Sequence, residues 1–268
     1  MEIKFNDVSF SYEDNVIFNN FSCCINSGLI SAIIGASGSG KSTMLDLIDG
    51  LVDCSNGYIS IGSYKVNDKI RKKIGYLFQF SEDQIFNSSV YKEIEFGLKC
   101  FKFDNIDSRI RSSVKLVGFE ENVLAMNPYK LSNGEKRKVA LASILAYDPD
   151  VLILDEPTIG LDNISKNSLM KLLKELKKNG KTIILVSHDI NFIHKFVDYV
   201  YLIKNGKVFL EGNKYDVLSN EEAMSECGLI VPNILHFSNL VYEKKGVKIG
   251  YRDEINDLIK DVYRYAKW

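Results

Sequence analysis

The sequence predicts an α/β fold with a mixed sheet core, an inserted helical subdomain and a small C-terminal extension. Three observations carry this expectation. Residues 29–34, 151–154 and 182–186 are short, almost wholly apolar runs, as parallel strands buried on both faces require. Residues 81–146 instead carry apolar side chains at three- and four-residue spacing, the helical period. The first apolar run leads directly into Gly35-Ala36-Ser37-Gly38-Ser39-Gly40-Lys41-Ser42-Thr43, which fits Gly, four residues, Gly-Lys-Ser/Thr.

Taken in order, Ile3–Tyr12 mixes alternating apolar residues with Phe and Tyr and reads as a strand, as do residues 21–25 and 29–34. A helix is expected over Lys41–Asp49, closed by Gly50. Residues 58–61 form a short strand after an Asn56-Gly57 turn, and residues 74–78 another. Within the insertion, helices are expected at 90–99, 108–117 and 134–146. Strands return at 151–154 and 182–186 around a helix at 165–178 that ends near Gly180. Residues 199–203 and 207–210 flank Asn205-Gly206, a hairpin signal. The last helix, 253–266, sets Ile255, Leu258, Ile259, Val262 and Tyr265 on one face. The expected division is therefore 1–213, with the insertion at about 81–147, and an extension at 214–268. That extension either completes the core or supplies a dimer contact.

Bulk properties narrow the class. With 46% hydrophobic and 26% charged residues over 268 positions, the chain can bury a large core. A formal net charge of −1 gives no global drive toward nucleic acid. No apolar run approaches the roughly 20 residues of a spanning helix, and residues 1–6 show no secretory h-region. The five cysteines are scattered without C-x-x-C spacing, so reduced thiols are expected rather than a disulfide framework or zinc site.

The glycine-rich segment is read as a phosphate loop. Its N–H groups and the following helix's positive end surround phosphate oxygens; Lys41 reaches the β- and γ-phosphates and the Ser42 hydroxyl binds magnesium. Asp155 and Glu156 end a buried strand, placing one carboxylate for magnesium and one to polarise an attacking water. Leu131-Ser132-Asn133-Gly134-Glu135 opens a helix and exposes N–H groups suited to a second anion site, although in isolation it reads as an ordinary N-cap. His188 follows a strand end, where a γ-phosphate could be bonded. Gln79 also follows a strand and could ligate magnesium, but alone it is a generic polar surface residue.

Together these segments resemble the nucleotide-binding subunit of an ABC transporter, a P-loop NTPase. Residues 35–43 are similar to Walker A, 151–156 to Walker B and 131–135 to the signature. Gln79 resembles the Q-loop residue, Gly160-Leu161-Asp162 the D-loop, His188 the switch histidine and Tyr12 the aromatic that stacks on adenine. Coverage runs from about Ile3 to Gly212. Residues 78–86, 90–97, 155–162 and 228–232 are similar to those of energy-coupling factor (ECF) vitamin-transporter ATPases, and Phe78-Gln79-Phe80 looks more like the second of the paired ATPases.

The resemblance implies ATP and magnesium as ligands and a head-to-tail pair of ATPases. Each ATP would lie between one subunit's Walker motifs and the other's Ser132, Gly134 and Asp162 segments. It also implies a transmembrane coupling subunit docked near Gln79 and the insertion, an indirectly engaged substrate-capturing membrane protein, and a place at the cytoplasmic face of the membrane. Two positions depart from the family's Leu-Ser-Gly-Gly-Gln. Asn133 replaces a glycine, where left-handed geometry would be tolerated. Glu135 brings a carboxylate that Lys136, Arg137 or Lys138 could pair. DNA-repair relatives fit poorly, since only about ninety residues, without sustained heptads, separate Walker A from the signature. Ribosome-acting relatives carry two cassettes in one chain. A non-hydrolytic clamp is disfavoured by intact Glu156 and His188, although the altered signature leaves it open for the shared site.

Overall fold

The computed structural model describes residues 1–66 and 70–265. The chain begins with strand β1 (Ile3–Tyr12), β2 (Asn15–Ile25) and β3 (Ile30–Ile34), followed by helix α1 (Lys41–Asp49). Strands β4 (Asn56–Ile61), β5 (Tyr64–Lys65) and β6 (Ile74–Leu77) come next. The insertion then supplies α2 (Val90–Cys100), α3 (Ile106–Leu116) and α4 (Asn133–Leu145). After it come β7 (Val151–Asp155), α5 (Asn163–Lys178), β8 (Thr182–Val186), the single turn α6 (Ile190–Ile193), β9 (Tyr199–Lys204) and β10 (Lys207–Asn213). The chain finishes with α7 (Lys214–Leu218), α8 (Glu221–Glu226), α9 (Asn233–Lys245) and α10 (Ile255–Tyr265).

Among the described residues these strands form two sheets. One is antiparallel in the order β2-β1-β4-β5; the other is mixed, in the order β10-β9-β3-β8-β7-β6. In the larger sheet β3, β8, β7 and β6 run parallel, with β7 central between β6 and β8. Successive side chains on a strand point to opposite faces, and both faces are covered here. Ile33, Ile153, Ile184 and Tyr201 pack with Met44, Leu45 and Ile48 of α1 and with Ile3, Phe5 and Phe18 of the smaller sheet. Their neighbours Ala32, Leu152, Leu154 and Leu185 pack with α5 and the insertion, through Leu173, Val90, Ile94 and Val139. The unbroken apolar runs are therefore the signature of strands with no solvent face.

The helices of the insertion lie within a residue or two of the sequence expectation, because their period is strong. Two local readings change. The β2 strand starts at Asn15 rather than Phe21, joined to β1 by a two-residue turn at Glu13-Asp14, with Tyr12 paired to Asn15. Asn56-Gly57 is not a turn: both residues are the first of β4. Gly57 has φ 78°, and a Cβ there would lie 2.4 Å from the carbonyls of Asn6 and Asp7. It faces the bulge in β1 between Phe5 and Val8, which lets both residues point inward although their spacing is odd.

Residues of the tail enter the same core. Val217, Leu218, Met224 and Leu235 are fully buried alongside Val200 and Leu202 of β9. Helix α10 differs: Leu258 is buried, Ile255, Ile259 and Tyr263 are exposed, and Val262 lies between. Of the expected final helix, Ala266 falls outside the described residues, as does the side chain of Tyr265.

Candidate active site

Parallel strands deliver their carboxyl ends to one edge of a sheet, and ligands bind in the crevice there. The phosphate loop leaves β3, Gln79 follows β6, Asp155 and Glu156 end β7, and His188 follows β8. These segments enclose a cleft of about 330 Å³ lined by Ser37, Gly38, Gly40, Lys41, Ser42, Thr43, Gln79, Asp155, Glu156 and His188. Ile17 of β2 and Val186 complete the wall.

The loop is shaped to hold an anion. At Gly35 a Cβ would lie 2.2 Å from the carbonyl oxygen of Ile203, so the loop packs against β9 only with glycine there. Gly38 has φ 75° and no protein atom within 4 Å of an added Cβ, leaving open space on its outer side. Lys41 is buried and donates through Nζ to the carbonyls of Gly35 at 3.0 Å and Ala36 at 2.7 Å. Burial lowers its pKa, while Glu156 and Asp155 oppose that shift. Ala36 also accepts from the N–H of Ser39, whose hydroxyl is buried without a hydrogen-bond partner.

The acidic side is under electrostatic strain. Asp155 is raised to about 6, first by burial and second by the charge of Glu156, with a hydrogen bond from Ser42 pulling the other way. Glu156 is 4% exposed, and burial likewise raises its pKa. Its backbone φ is 48°, in the left-handed region that few non-glycine residues adopt. One oxygen, Oε2, accepts from the His188 N–H at 3.2 Å. The other, Oε1, lies 3.4 Å from His188 Nε2 and has no hydrogen-bond partner. A buried carboxylate oxygen left unpaired and facing a cleft is equipped to accept a proton.

The donor set fits magnesium. Ser42, Asp155 and Gln79 offer only oxygen ligands, and Mg²⁺ characteristically takes one or two carboxylates and completes its shell with water and phosphate oxygens. Among the described residues no group of three or more His, Cys, Asp or Glu side chains could hold a metal ion by itself.

Other expected site residues lie elsewhere. Tyr12 ends β1, is half-exposed, stands edge-on to Phe10 at 4.8 Å and does not line the cleft. Ser132 is the N-cap of α4, Gly134 lines a separate crevice between α4 and α5, and Asp162 caps α5 by accepting from the Ser165 N–H at 2.7 Å. The two signature departures are accommodated within the start of α4. Asn133 is absent from the left-handed positions and simply opens α4. Glu135 is not paired by Arg137. It turns back on Ser132, accepting from the N–H at 2.9 Å and the hydroxyl at 2.7 Å in a capping box, which lowers its pKa. Arg137 points inward instead. No sequence signal marks Ile17, an ordinary strand residue that only the sheet packing brings to the cleft.

Comparison with known proteins follows the same lines. Residues 18–159 match the family described as ABC transporter. The chain belongs to the ABC transporter family. Over 276 aligned residues, 97% of this chain and 93% of the relative, it is 38% identical to the energy-coupling factor transporter ATP-binding protein EcfA3 of Oenococcus oeni. It superposes on CbiO1 of Clostridium perfringens, part of the ABC transporter complex cbiONQ, with a TM-score of 0.75 and 34% identity, covering 88% of this chain and 98% of that one. The ATP-binding cassette MJ0796, solved as a dimer bound to ADP and Pi, matches with a TM-score of 0.70 and 32% identity, covering 79% and 98%. This ABC transporter chain is thus an ATPase subunit of the energy-coupling factor type, and no described helix is long and apolar enough to cross a membrane.

Proposed function

We propose that this ABC transporter subunit binds and hydrolyses ATP to drive an ECF-type importer of vitamins or other micronutrients, working from the cytoplasmic face through a separate membrane subunit. The observation that carries the reading is the convergence of Lys41, Ser42, Asp155, Glu156 and His188 on one cleft, in a chain 38% identical to an ECF ATP-binding protein over nearly its whole length. Lys41 and the loop N–H groups hold the phosphates. Ser42, Asp155 and Gln79 hold magnesium, which when bound neutralises charge on the phosphate oxygens. Glu156 Oε1 orients the attacking water and takes its proton, while His188, tied to Glu156 through its own N–H, faces the γ-phosphate. Tyr12 stacks on adenine.

The second half of each site comes from a partner ATPase, through the segments of Ser132, Gly134 and Asp162. Support comes from their absence from this chain's own cleft and from the dimeric MJ0796 cassette. The membrane subunit docks beside the Q-loop and insertion, where Phe80, Phe86, Phe96 and Tyr129 are exposed and Phe86 stands edge-on to Phe96 at 5.0 Å. Residues 1–213 form the ATPase unit; residues 214–268 form an extension that both completes the core and presents α10 as a dimer contact.

Affinity purification from detergent-solubilised membranes tests this. A polytopic membrane subunit and a second ATPase should co-purify. Recovery of ribosomes or DNA in their place would reject the transport reading and leave the ATPase chemistry intact.

A further inference from the structure

Arg137 is carried on α4, five residues beyond the N-cap Ser132, yet its side chain is buried. The guanidinium donates through Nη2 to the carbonyl of Gln79 at 2.8 Å and to Oε2 of Glu82 at 3.3 Å. Through Nη1 it donates to the carbonyl of Ile159. Its acceptors belong to two turns. One follows β6 and places Gln79 in the cleft; the other follows β7 and runs from Glu156 to Asp162. One side chain therefore joins the segment that opens α4, the turn bearing Gln79 and the turn bearing Glu156.

The chemistry suits this arrangement. A guanidinium is planar and presents its donors at fixed angles, so it sets the distance between two carbonyls; an ammonium is a point charge that does not. A buried arginine lacking acceptors would be strongly unfavourable, and Glu82 supplies the opposing charge. None of the contacts that Lys41 makes within the phosphate loop involves Arg137.

We propose that Arg137 is a positioning residue for hydrolysis, fixing the backbones of Gln79 and Ile159 against the start of α4 so that both cleft-forming turns move with the signature segment. This rests on the reading of the cleft as the ATP site. Because the phosphate loop is untouched, the effect falls on turnover rather than on nucleotide affinity.

The full-length chain with Arg137→Gln, Arg137→Lys or Glu82→Gln tests it, with three readouts: ATP affinity without magnesium, kcat, and amide hydrogen exchange over residues 79–85 and 157–162. Both Arg137 variants should keep ATP affinity within about twofold and lose about tenfold or more in kcat, and exchange should rise in both segments together. Glu82→Gln, which leaves both carbonyl bonds, should lose only about two- to threefold. Wild-type kcat in Arg137→Lys, exchange rising in one segment or neither, or a loss confined to ATP affinity would each overturn the proposal. If Arg137→Gln fails to fold, Arg137→Lys and Glu82→Gln decide by the same criteria. Lys41→Ala run alongside separates the two readings, since unchanged ATP binding in that variant would remove the ATP site itself.

Discussion

At the level of single residues, the site concentrates negative charge in a place with little solvent. Asp155 is pushed to about 6 mainly by burial, so in the absence of ligand the folded state binds a proton more readily than the unfolded chain does. The sign follows: without nucleotide, stability falls as pH rises from about 4 to about 6, and the full penalty persists above that. Asp155→Asn should therefore stabilise the ligand-free protein at pH 7.5 by roughly 1–3 kcal/mol, while abolishing magnesium-dependent hydrolysis. A thermal scan in the absence of nucleotide that shows Asp155→Asn less stable than wild type would reject this account. Glu156→Gln keeps a similar shape but has no carboxylate to accept a proton. It should bind ATP normally and lose about a hundredfold or more in kcat, and brisk turnover by this variant would end the role given to Oε1. Lys41→Ala should lose most of its ATP affinity, read by titration with a fluorescent nucleotide. These residues were legible because motif spacing identifies them. The unpartnered oxygen of Glu156 and its left-handed backbone were not, since both depend on where β8 and His188 lie.

Individual elements show how local chemistry and function share residues. Helix α4 starts with a reciprocal capping box between Ser132 and Glu135. Glutamine also serves at the fourth position of such a box, so Glu135→Gln should shift stability by less than about 0.5 kcal/mol. Ser132→Ala removes the cap and should cost about 1 kcal/mol in chemical denaturation. Equal losses from both substitutions would mean that the carboxylate charge, rather than the cap, holds the helix start. The capping box also accounts for Glu135 at a position where the sequence offered only neighbouring basic residues as partners: the carboxylate is held by its own helix. Arg137, by contrast, looks like one of three successive basic surface residues in the sequence. Helical periodicity cannot reveal that the second of them turns into the interior, because its acceptors come from turns 55 and 22 residues away.

For the whole molecule, the tail cannot be removed as a unit. Cutting after Asn213 would take away Val217, Leu218, Met224 and Leu235, which are fully buried with β9. The lost burial amounts to several side chains at about 1.5–3 kcal/mol each, so that truncation should be insoluble and uninformative about assembly. Point changes on the exposed face of α10 are the cleaner probe. Ile255→Glu with Ile259→Glu should leave the melting temperature within about 2 °C, since neither side chain is buried in the monomer, and should weaken association with the partner ATPase. Sedimentation showing an unaltered dimer would assign α10 no part in that contact.

The sequence by itself determined the order of the central strands, their burial on both faces, the helical stretch between β6 and β7 and the motif residues that line the cleft. Those features follow from periodicity and from motif spacing, both of which are local along the chain. Tertiary structure decided what depends on distant segments meeting. It brought β6, β7 and β8 side by side so that Gln79, Asp155, Glu156 and His188 share a cleft with Lys41. It set Ile17 in the cleft wall, and it turned Arg137 inward while Glu135 turned back on Ser132. Contacts of this kind are fixed by sheet order and packing, which no local stretch of sequence encodes.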